Sequence, residues 1–214
     1  MSRFSTILFD LDGTLTDNGE GITNSVAYAL KKFGITPPPR EELNKFVGPP
    51  LRDRFANVYV GEDRADLAVE YYREYFRPHG IFENVVYDGI PELLAALKNR
   101  GCTIAMATSK PEIFAEKIAD HFDLAKYFTI IAGSNLEGTR IKKADVITYC
   151  LNRLGNPDKN TVLMVGDREH DILGAKAVGL PAVGVAYGYG SRQELEAAGA
   201  LAVINTPLDL LKHL

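Results

Sequence analysis

Residues 5–15 read Ser5-Thr6-Ile7-Leu8-Phe9-Asp10-Leu11-Asp12-Gly13-Thr14-Leu15. The apolar run 7–9 is typical of a strand that is buried on both faces. Two acids, Asp10 and Asp12, follow it directly. Carboxylates at the end of a buried strand cost free energy unless a cation meets them, so this position predicts a site. The carboxyl ends of parallel strands are also where open α/β sheets bind ligands.

These acids have two simpler interpretations. Asp12-Gly13 alone is a common turn dipeptide. An EF-hand loop needs acids at its first, third and fifth positions and glycine at its sixth. Counting from Asp10, the fifth residue is Thr14 and the sixth is Leu15, which excludes that loop. The acids therefore need partners from elsewhere in the chain.

Composition limits the classes of protein that the chain can represent. Its 214 residues are 46% hydrophobic and 24% charged, as expected for one larger domain or a domain with an insert. The net charge of -4 argues against non-specific nucleic-acid binding. No apolar run reaches membrane-spanning length, and no signal peptide is expected. Cys102 and Cys150 lack CxxC spacing and are expected to be reduced and buried, so the sequence predicts a cytoplasmic protein without a membrane partner.

The hydrophobic pattern divides the chain into a helical insert and an alternating remainder. Residues 16–80 show helical spacing, interrupted by Pro37-Pro38-Pro39, and contain no convincing long strand. Beyond Val85, short apolar runs alternate with helices, the last being a possible edge strand at 202–204. Strands separated by single helices imply a mainly parallel sheet. We therefore predict a Rossmann-like α/β core of residues 1–15 and 81–214, with helices on both faces, and an inserted all-helical cap domain of residues 16–80.

Polar side chains follow the predicted strands at the point where each strand ends. They are Asp10 and Asp12 after the first strand, Thr108 and Ser109 after the second, Lys143 at the start of the helix after the third, and Asp167 and Asp171 after the fourth. Because the ends of parallel strands share one edge of a sheet, we expect these side chains to meet in one crevice.

The residue types in this crevice indicate phosphoryl chemistry. Several neighbouring carboxylates favour a divalent cation with oxygen ligands, such as Mg²⁺. A carboxylate beside that ion, here Asp10, is a usable nucleophile toward phosphorus. Thr108 and the N–H groups that follow it suit phosphoryl oxygens, and Lys143 supplies positive charge. Asp12 can protonate a leaving alcohol and then activate water, provided that the chain turns after Asp10 to bring it back.

The order of these motifs resembles the haloacid dehalogenase superfamily, in its phosphatase branch with a helical cap. Residues 10–15 match the DxDGTL motif of that family, and Thr108, Lys143 and Gly166-Asp167 with Asp171 match the second, third and fourth motifs. The resemblance implies a hydrolase that forms an aspartyl-phosphate on its first motif aspartate.

The resemblance also implies a role for each matching residue. Asp10 would be the nucleophile and Asp12 the general acid and base. Magnesium would be held by the Asp10 carboxylate, the Asp12 backbone carbonyl and the Asp167 carboxylate, with Asp171 behind these ligands. Of the adjacent pair Lys142 and Lys143, we favour Lys143 because it leads directly into the following helix.

The fourth motif departs from the usual family pattern. Arg168 stands where serine or threonine is commoner. Glu169 could add to the metal site, but an acid at a helix start is a simpler interpretation. No role is assigned to His170.

Three further stretches resemble the phosphoglycolate phosphatase-like group of the family. They are Gly48-Pro49-Pro50-Leu51, Thr108-Ser109-Lys110-Pro111 and Tyr187-Gly188-Tyr189-Gly190. Some similar sequences are 5′-nucleotidases. The resemblance implies a small phosphorylated metabolite as substrate, with Thr108, Ser109, Lys110, Lys143 and the cap residue Arg52 as phosphate or substrate ligands. A monomer or a small homo-oligomer is expected.

Two other functions use similar residue types. A β-phosphoglucomutase-like phosphomutase would use the same four motifs and return the phosphoryl group to another hydroxyl. A receiver-like signalling module would also combine acids, a hydroxyl and a lysine at strand ends. Asp12 and the large helical insert argue against the receiver, because a phosphoacceptor module needs neither.

Overall fold

The computed structural model describes residues 3–214, which divide into two units. One unit comprises the described residues up to Thr16 together with Val86–Leu214, and the other comprises Asp17–Val85. The predicted boundary at residue 80 falls inside the second unit. The last helical turn of the second unit continues beyond residue 80. The N–H of Ile81 donates to the Phe76 carbonyl at 2.8 Å, and the N–H of Phe82 donates to the His79 carbonyl at 2.9 Å.

Eight strands occur in the described chain. They are β1 (Thr6–Phe9), β2 (Thr16–Asp17), β3 (Val85–Val86), β4 (Thr103–Pro111), β5 (Ile130–Ser134), β6 (Val162–Gly166), β7 (Ala182–Val185) and β8 (Ala202–Ile204). Six of them form one sheet in the order β5-β4-β1-β6-β7-β8, and every neighbouring pair is parallel. The predicted parallel α/β sheet is confirmed. Both β2 and β3 lie where the chain passes from one unit to the other.

Nine α-helices accompany these strands in the described residues. They are α1 (Gly19–Lys32), α2 (Arg40–Leu43), α3 (Leu51–Phe55), α4 (Glu62–Tyr75), α5 (Ile90–Asn99), α6 (Glu112–His121), α7 (Lys143–Arg153), α8 (Glu169–Ala177) and α9 (Arg192–Ala198). Local signals explain several of their ends. Gly89 precedes α5 in the left-handed region at φ 87°, and Ser191 caps α9 by accepting the Glu194 N–H at 3.0 Å.

Strand β1 occupies the middle of the sheet and is fully buried. Leu8 lies opposite Ala105 of β4 and Met164 of β6, and Val146 of α7 belongs to the same apolar cluster. Fully burying one aliphatic side chain of this kind contributes about 1.5–3 kcal/mol. This packing holds the chain rigidly up to the residue that precedes Asp10.

Strand β4 is longer than the sequence indicated. The apolar run of residues 104–107 in the sequence ends at Ala107, but the strand continues to Pro111 with an irregular register between these two residues. Thr108 and Lys110 therefore lie in extended chain, and α6 begins only at Glu112. The irregularity changes where the last side chains of this strand point.

The second unit is helical, and wider π-helical turns follow α3 and α4. Helix α4 ends at Tyr75, and the segment 76–80 forms a π turn. Pro78 accounts for the change, because it has no N–H to donate and its ring clashes with the preceding helical turn. Within residues 3–214, no helix combines the length and the apolar character that crossing a bilayer requires.

Both cysteines are free thiols. Cys150 is fully buried, and burial raises the pKa of its thiol to about 12, so it is protonated and unreactive near neutral pH. Cys102 is only half-buried, which differs from the expectation for this residue.

Candidate active site

The carboxyl ends of β1, β4 and β6 are neighbours because β1 lies between the other two strands. The hydrogen-bond ladder continues one residue beyond β1, since the Asp10 N–H donates to the Val165 carbonyl at 2.9 Å. Asp10 is buried in this position, at 8% exposure.

The chain turns immediately after Asp10. Leu15 N–H donates to the Leu11 carbonyl at 2.9 Å, and Gly13 N–H donates to the Thr16 carbonyl at 2.8 Å. Gly13 has φ 83°, and a Cβ at this position would overlap the Asp167 carboxylate, so only glycine fits. The turn carries Asp12 to Lys110, with its Oδ2 2.7 Å from the lysine Nζ.

Lys143 lies between two acids beneath the end of the sheet. Its Nζ is 2.8 Å from Asp10 Oδ1 and 2.7 Å from Asp171 Oδ1, and it donates to the Ala107 carbonyl at 3.1 Å. Burial lowers the pKa of Lys143, but the carboxylates of Asp10 and Asp171 raise it above its usual value. The structure thus brings a charged Lys143 to Asp10 and leaves Lys142 exposed.

Asp167 is fully buried, and only one of its two carboxylate oxygens accepts a hydrogen bond from the described residues. Its Oδ2 accepts the Tyr189 N–H at 2.8 Å, whereas its Oδ1 has no hydrogen-bond partner among residues 3–214. Burial, followed by the charges of Asp171 and Asp10, raises the pKa of Asp167 well above its usual range. An ionised Asp167 therefore needs a cation beyond those the neighbouring side chains supply.

The carboxylates fit a divalent cation. Asp10, Asp167 and Asp171 each offer one oxygen, and these oxygens lie within 4.8 Å of one another. Asp171 is already engaged, because its Oδ1 meets Lys143 and its Oδ2 accepts the Arg168 N–H at 3.1 Å. An all-oxygen donor set with one orphaned carboxylate oxygen matches the ligand preference of Mg²⁺. Within residues 3–214, the Asp12 carboxylate is not part of this cluster.

The predicted phosphate ligands are only partly brought together. Thr108 is buried, and its Oγ1 accepts the Lys110 N–H at 3.2 Å. Ser109 is half-buried beside them. Arg52 belongs to the other unit, where its guanidinium is 2.9 Å from Glu62 and 3.0 Å from Asp66. Substrate contact by Arg52 remains a prediction.

The loop after β7 is a part of the site that sequence reasoning missed. Besides the Tyr189 N–H, the Tyr187 hydroxyl donates to the Thr14 carbonyl at 3.0 Å. Gly188 lies so close to Asp167 and the Gly13 carbonyl that a Cβ would overlap them. The sequence did contain a signal for this loop. A glycine lies on each side of Tyr189 shortly after a strand, and this pattern often marks a close backbone approach.

The unusual fourth motif has a structural partner in α9. The guanidinium Nε of Arg168 donates to Glu194 Oε1 at 2.8 Å, and the Glu169 N–H donates to the same oxygen at 2.9 Å. Glu169 is not part of the carboxylate cluster found within residues 3–214, and His170 is exposed. The departure at Arg168 therefore ties α8 to α9 and adds no ligand to the cluster.

Comparison with known proteins identifies the family. The model of the haloacid dehalogenase-like hydrolases matches residues 7–185. The chain belongs to this family. The resemblance inferred from the four motifs is confirmed, and so is the expectation of a hydrolase.

Similar proteins extend this comparison over most of the chain. A 5′-nucleotidase from Pseudomonas aeruginosa is 51% identical over 91% of this chain and 88% of its own length. The tyrosine-protein kinase PtkA from Mycobacterium tuberculosis is 40% identical over 86% of this chain, but over only 62% of its own length. The phosphoglycolate phosphatase 1 of P. aeruginosa is 30% identical over 96% of this chain and 78% of its own length.

A solved structure agrees with the fold described above. The crystal structure of a predicted phosphatase from Clostridium acetobutylicum has a TM-score of 0.94 and 49% identity, and the match covers 99% of this chain and 98% of that one. This agreement supports the expected α/β architecture over the whole described chain.

Proposed function

We propose that the chain is a magnesium-dependent phosphomonoesterase that hydrolyses a small phosphorylated metabolite through an aspartyl-phosphate on Asp10. One observation carries this proposal most directly. A charged Lys143 holds Asp10 at the edge of the sheet, beside an Asp167 oxygen that has no hydrogen-bond partner among residues 3–214. Phosphoryl transfer to a carboxylate needs a nucleophile and, beside it at the same edge of the sheet, a second carboxylate oxygen that can bind a cation.

The carboxylates of Asp10 and Asp167 would hold the Mg²⁺ ion, together with the Asp12 backbone carbonyl. When bound, the ion would reduce the repulsion between the nucleophile and the phosphoryl oxygens. Asp171 would hold Lys143 in place, because the two side chains lie 2.7 Å apart.

The chain's own residues divide the reaction into two steps. In the first, an Asp10 oxygen attacks phosphorus, the bond from phosphorus to the ester oxygen breaks, and Asp12 gives its proton to the leaving alkoxide. In the second, Asp12 takes a proton from water as that water attacks phosphorus, and the bond between phosphorus and Asp10 breaks. Lys143 offsets the charge on Asp10 in both steps.

Nucleoside 5′-monophosphates are the substrate class that we place first. The similarity to the 5′-nucleotidase is greater in identity than the similarity to the phosphoglycolate phosphatase, and both cover most of the chain. The phosphoglycolate phosphatase-like activity that the motifs suggested becomes the second candidate. The similarity to PtkA adds a protein tyrosine side chain as a group to be tested for phosphorylation.

A panel of phosphorylated compounds tests the proposed function. We expect free phosphate from nucleoside 5′-monophosphates at a kcat/KM at least about tenfold above that for phosphoglycolate, a difference of about 1.4 kcal/mol in transition-state binding. The assay measures inorganic phosphate with and without the chain. Formation of an isomerised sugar phosphate without free phosphate would contradict hydrolysis and favour the mutase. Transfer from ATP to a tyrosine peptide, without hydrolysis, would favour a kinase.

Metal removal tests the proposed cofactor. We expect chelation with EDTA to lower phosphate release by at least about 100-fold, because several kcal/mol of charge stabilisation depend on the ion. Excess MgCl₂ should restore the rate. Activity that survives exhaustive chelation would contradict the magnesium assignment. A parallel titration of thermal unfolding with MgCl₂ should show stabilisation of the parent chain but little or none of Asp167→Asn, which loses the orphaned carboxylate oxygen.

A further inference from the structure

Asp12 and Lys110 form an ion pair that is separate from the Lys143 cluster. Their Oδ2 and Nζ atoms lie 2.7 Å apart, and the two side chains are only 14% and 5% exposed. The second oxygen of Asp12, Oδ1, is buried and has no hydrogen-bond partner within residues 3–214. Among the described residues, Lys110 is thus the side chain that orients the Asp12 carboxylate.

The backbone fixes the position of Lys110. Its N–H donates to Thr108 Oγ1 at 3.2 Å, in the irregular end of β4. Pro111 follows and limits the backbone further, because its ring fixes φ. The ammonium group is therefore presented from a rigid segment to the turn that carries Asp12.

The two buried lysines of the site serve different carboxylates. Lys143 contacts Asp10 and Asp171, whereas Lys110 contacts Asp12. The family resemblance implied that both lysines are phosphate or substrate ligands. The structure instead pairs Lys110 with Asp12, the residue that we propose as the general acid and base.

We propose that Lys110 is a positioning residue that holds the Asp12 carboxyl group toward the ester oxygen. In each step, Asp12 is thereby aligned with the oxygen atom that takes its proton or gives one to it. This inference rests on the proposed function. In the first step, the bond from phosphorus to the ester oxygen breaks, its electron pair goes to that oxygen, and the oxygen takes the proton of Asp12. In the second, Asp12 regains a proton from the attacking water.

This role predicts a dependence on the leaving group. An alkoxide is a strong base and needs the proton of Asp12 as the ester bond breaks, whereas a dinitrophenolate leaves without it. Loss of Lys110 should therefore slow alkyl phosphates far more than activated aryl phosphates. A lysine that only bound phosphoryl oxygens would affect both classes to the same extent, because both carry the same phosphoryl group.

The experiment compares Lys110→Met, Lys110→Arg and the exposed-lysine control Lys142→Met on a nucleoside monophosphate and on dinitrophenyl phosphate. For Lys110→Met, we expect kcat to fall about 100-fold on the nucleotide and less than about fivefold on the aryl ester, with KM within about threefold. Lys110→Arg should recover at least about a tenth of the nucleotide rate, since it keeps the cation. Lys142→Met should match the parent.

Other outcomes overturn the inference. Equal losses of kcat on both substrates, together with a raised KM, would indicate that Lys110 binds phosphate and does not act through Asp12. In an Asp12→Asn background, Lys110→Met should have no further effect on the nucleotide rate, and a fully additive loss would contradict action through Asp12. If Lys110→Met does not fold, Lys110→Gln, which also removes the charge, takes its place in the same comparison of the two substrates, with the same expected losses. A parent chain that releases no phosphate from any substrate would instead overturn the proposed function, and this inference with it.

Discussion

Asp10→Asn is expected to lower phosphate release from p-nitrophenyl phosphate by at least about 10,000-fold and to leave the chain folded. An amide oxygen is a poor nucleophile, and it cannot form the aspartyl-phosphate. The substitution nearly preserves side-chain volume in a position that is only 8% exposed. Lys143 keeps Asp171 at 2.7 Å and the Ala107 carbonyl at 3.1 Å, so its charge is not left unpaired.

A matched acid-to-amide control separates chemistry from charge. Asp120 is exposed on α6, and Asp120→Asn should leave both the rate and the melting temperature close to those of the parent. Near-UV circular dichroism checks the fold of each variant. Substantial turnover by a folded Asp10→Asn chain would remove Asp10 from the nucleophile role.

Covalent trapping addresses the same residue by a different measurement. Acid-quenched parent enzyme should contain a phosphorylated peptide that includes Asp10, and the Asp10→Asn chain should not. The lifetime of that species separates the remaining functions. A phosphoaspartate that lasts for minutes without substrate turnover would favour the receiver-like alternative, whereas one that appears only during turnover agrees with hydrolysis.

The core sheet was predictable because its signals are local and consistent. The apolar run 7–9 ends in acids, and the run 162–165 ends in Gly166-Asp167, so both strand ends are visible in the sequence. Once the sheet is parallel, its topology brings those ends to one edge. The meeting of Asp10, Asp167 and Lys143 follows from this rule and needs no knowledge of side-chain geometry.

The rest of the site depends on where particular backbone N–H groups and side chains point, and the hydrophobic periodicity of the sequence does not indicate this. The Tyr189 N–H bond to Asp167 comes from the backbone, so no residue type identifies it. The Lys110–Asp12 pair depends on the irregular end of β4, where alternation of side chains no longer tells which way Lys110 points. For the same reason, phosphate binding was the expectation for Lys110, although its ammonium lies against a carboxylate.

Lys143→Met is expected to lower both activity and stability. The change removes the ammonium between Asp10 and Asp171 and keeps an unbranched side chain of similar length. Breaking a buried ion pair by deleting one partner costs about 3–5 kcal/mol of unfolding free energy. Loss of the charge that offsets the nucleophile should also reduce kcat by about 100-fold or more. Chemical denaturation and phosphate release measure the two effects, with Lys142→Met as the exposed control, expected to remain within about 0.5 kcal/mol of the parent.

The response of Lys143→Met to magnesium separates electrostatics from packing. Without the ammonium, the carboxylates of Asp10, Asp167 and Asp171 share a buried cluster that lacks its lysine, so repulsion among them should be the main cause of the lost stability. A divalent ion bound there would relieve that repulsion, and saturating MgCl₂ should therefore raise the melting temperature of Lys143→Met more than that of the parent. If magnesium stabilises the parent but recovers none of the loss in Lys143→Met, the lost stability arises from packing around the lysine stem. The electrostatic explanation of this cluster would then be wrong.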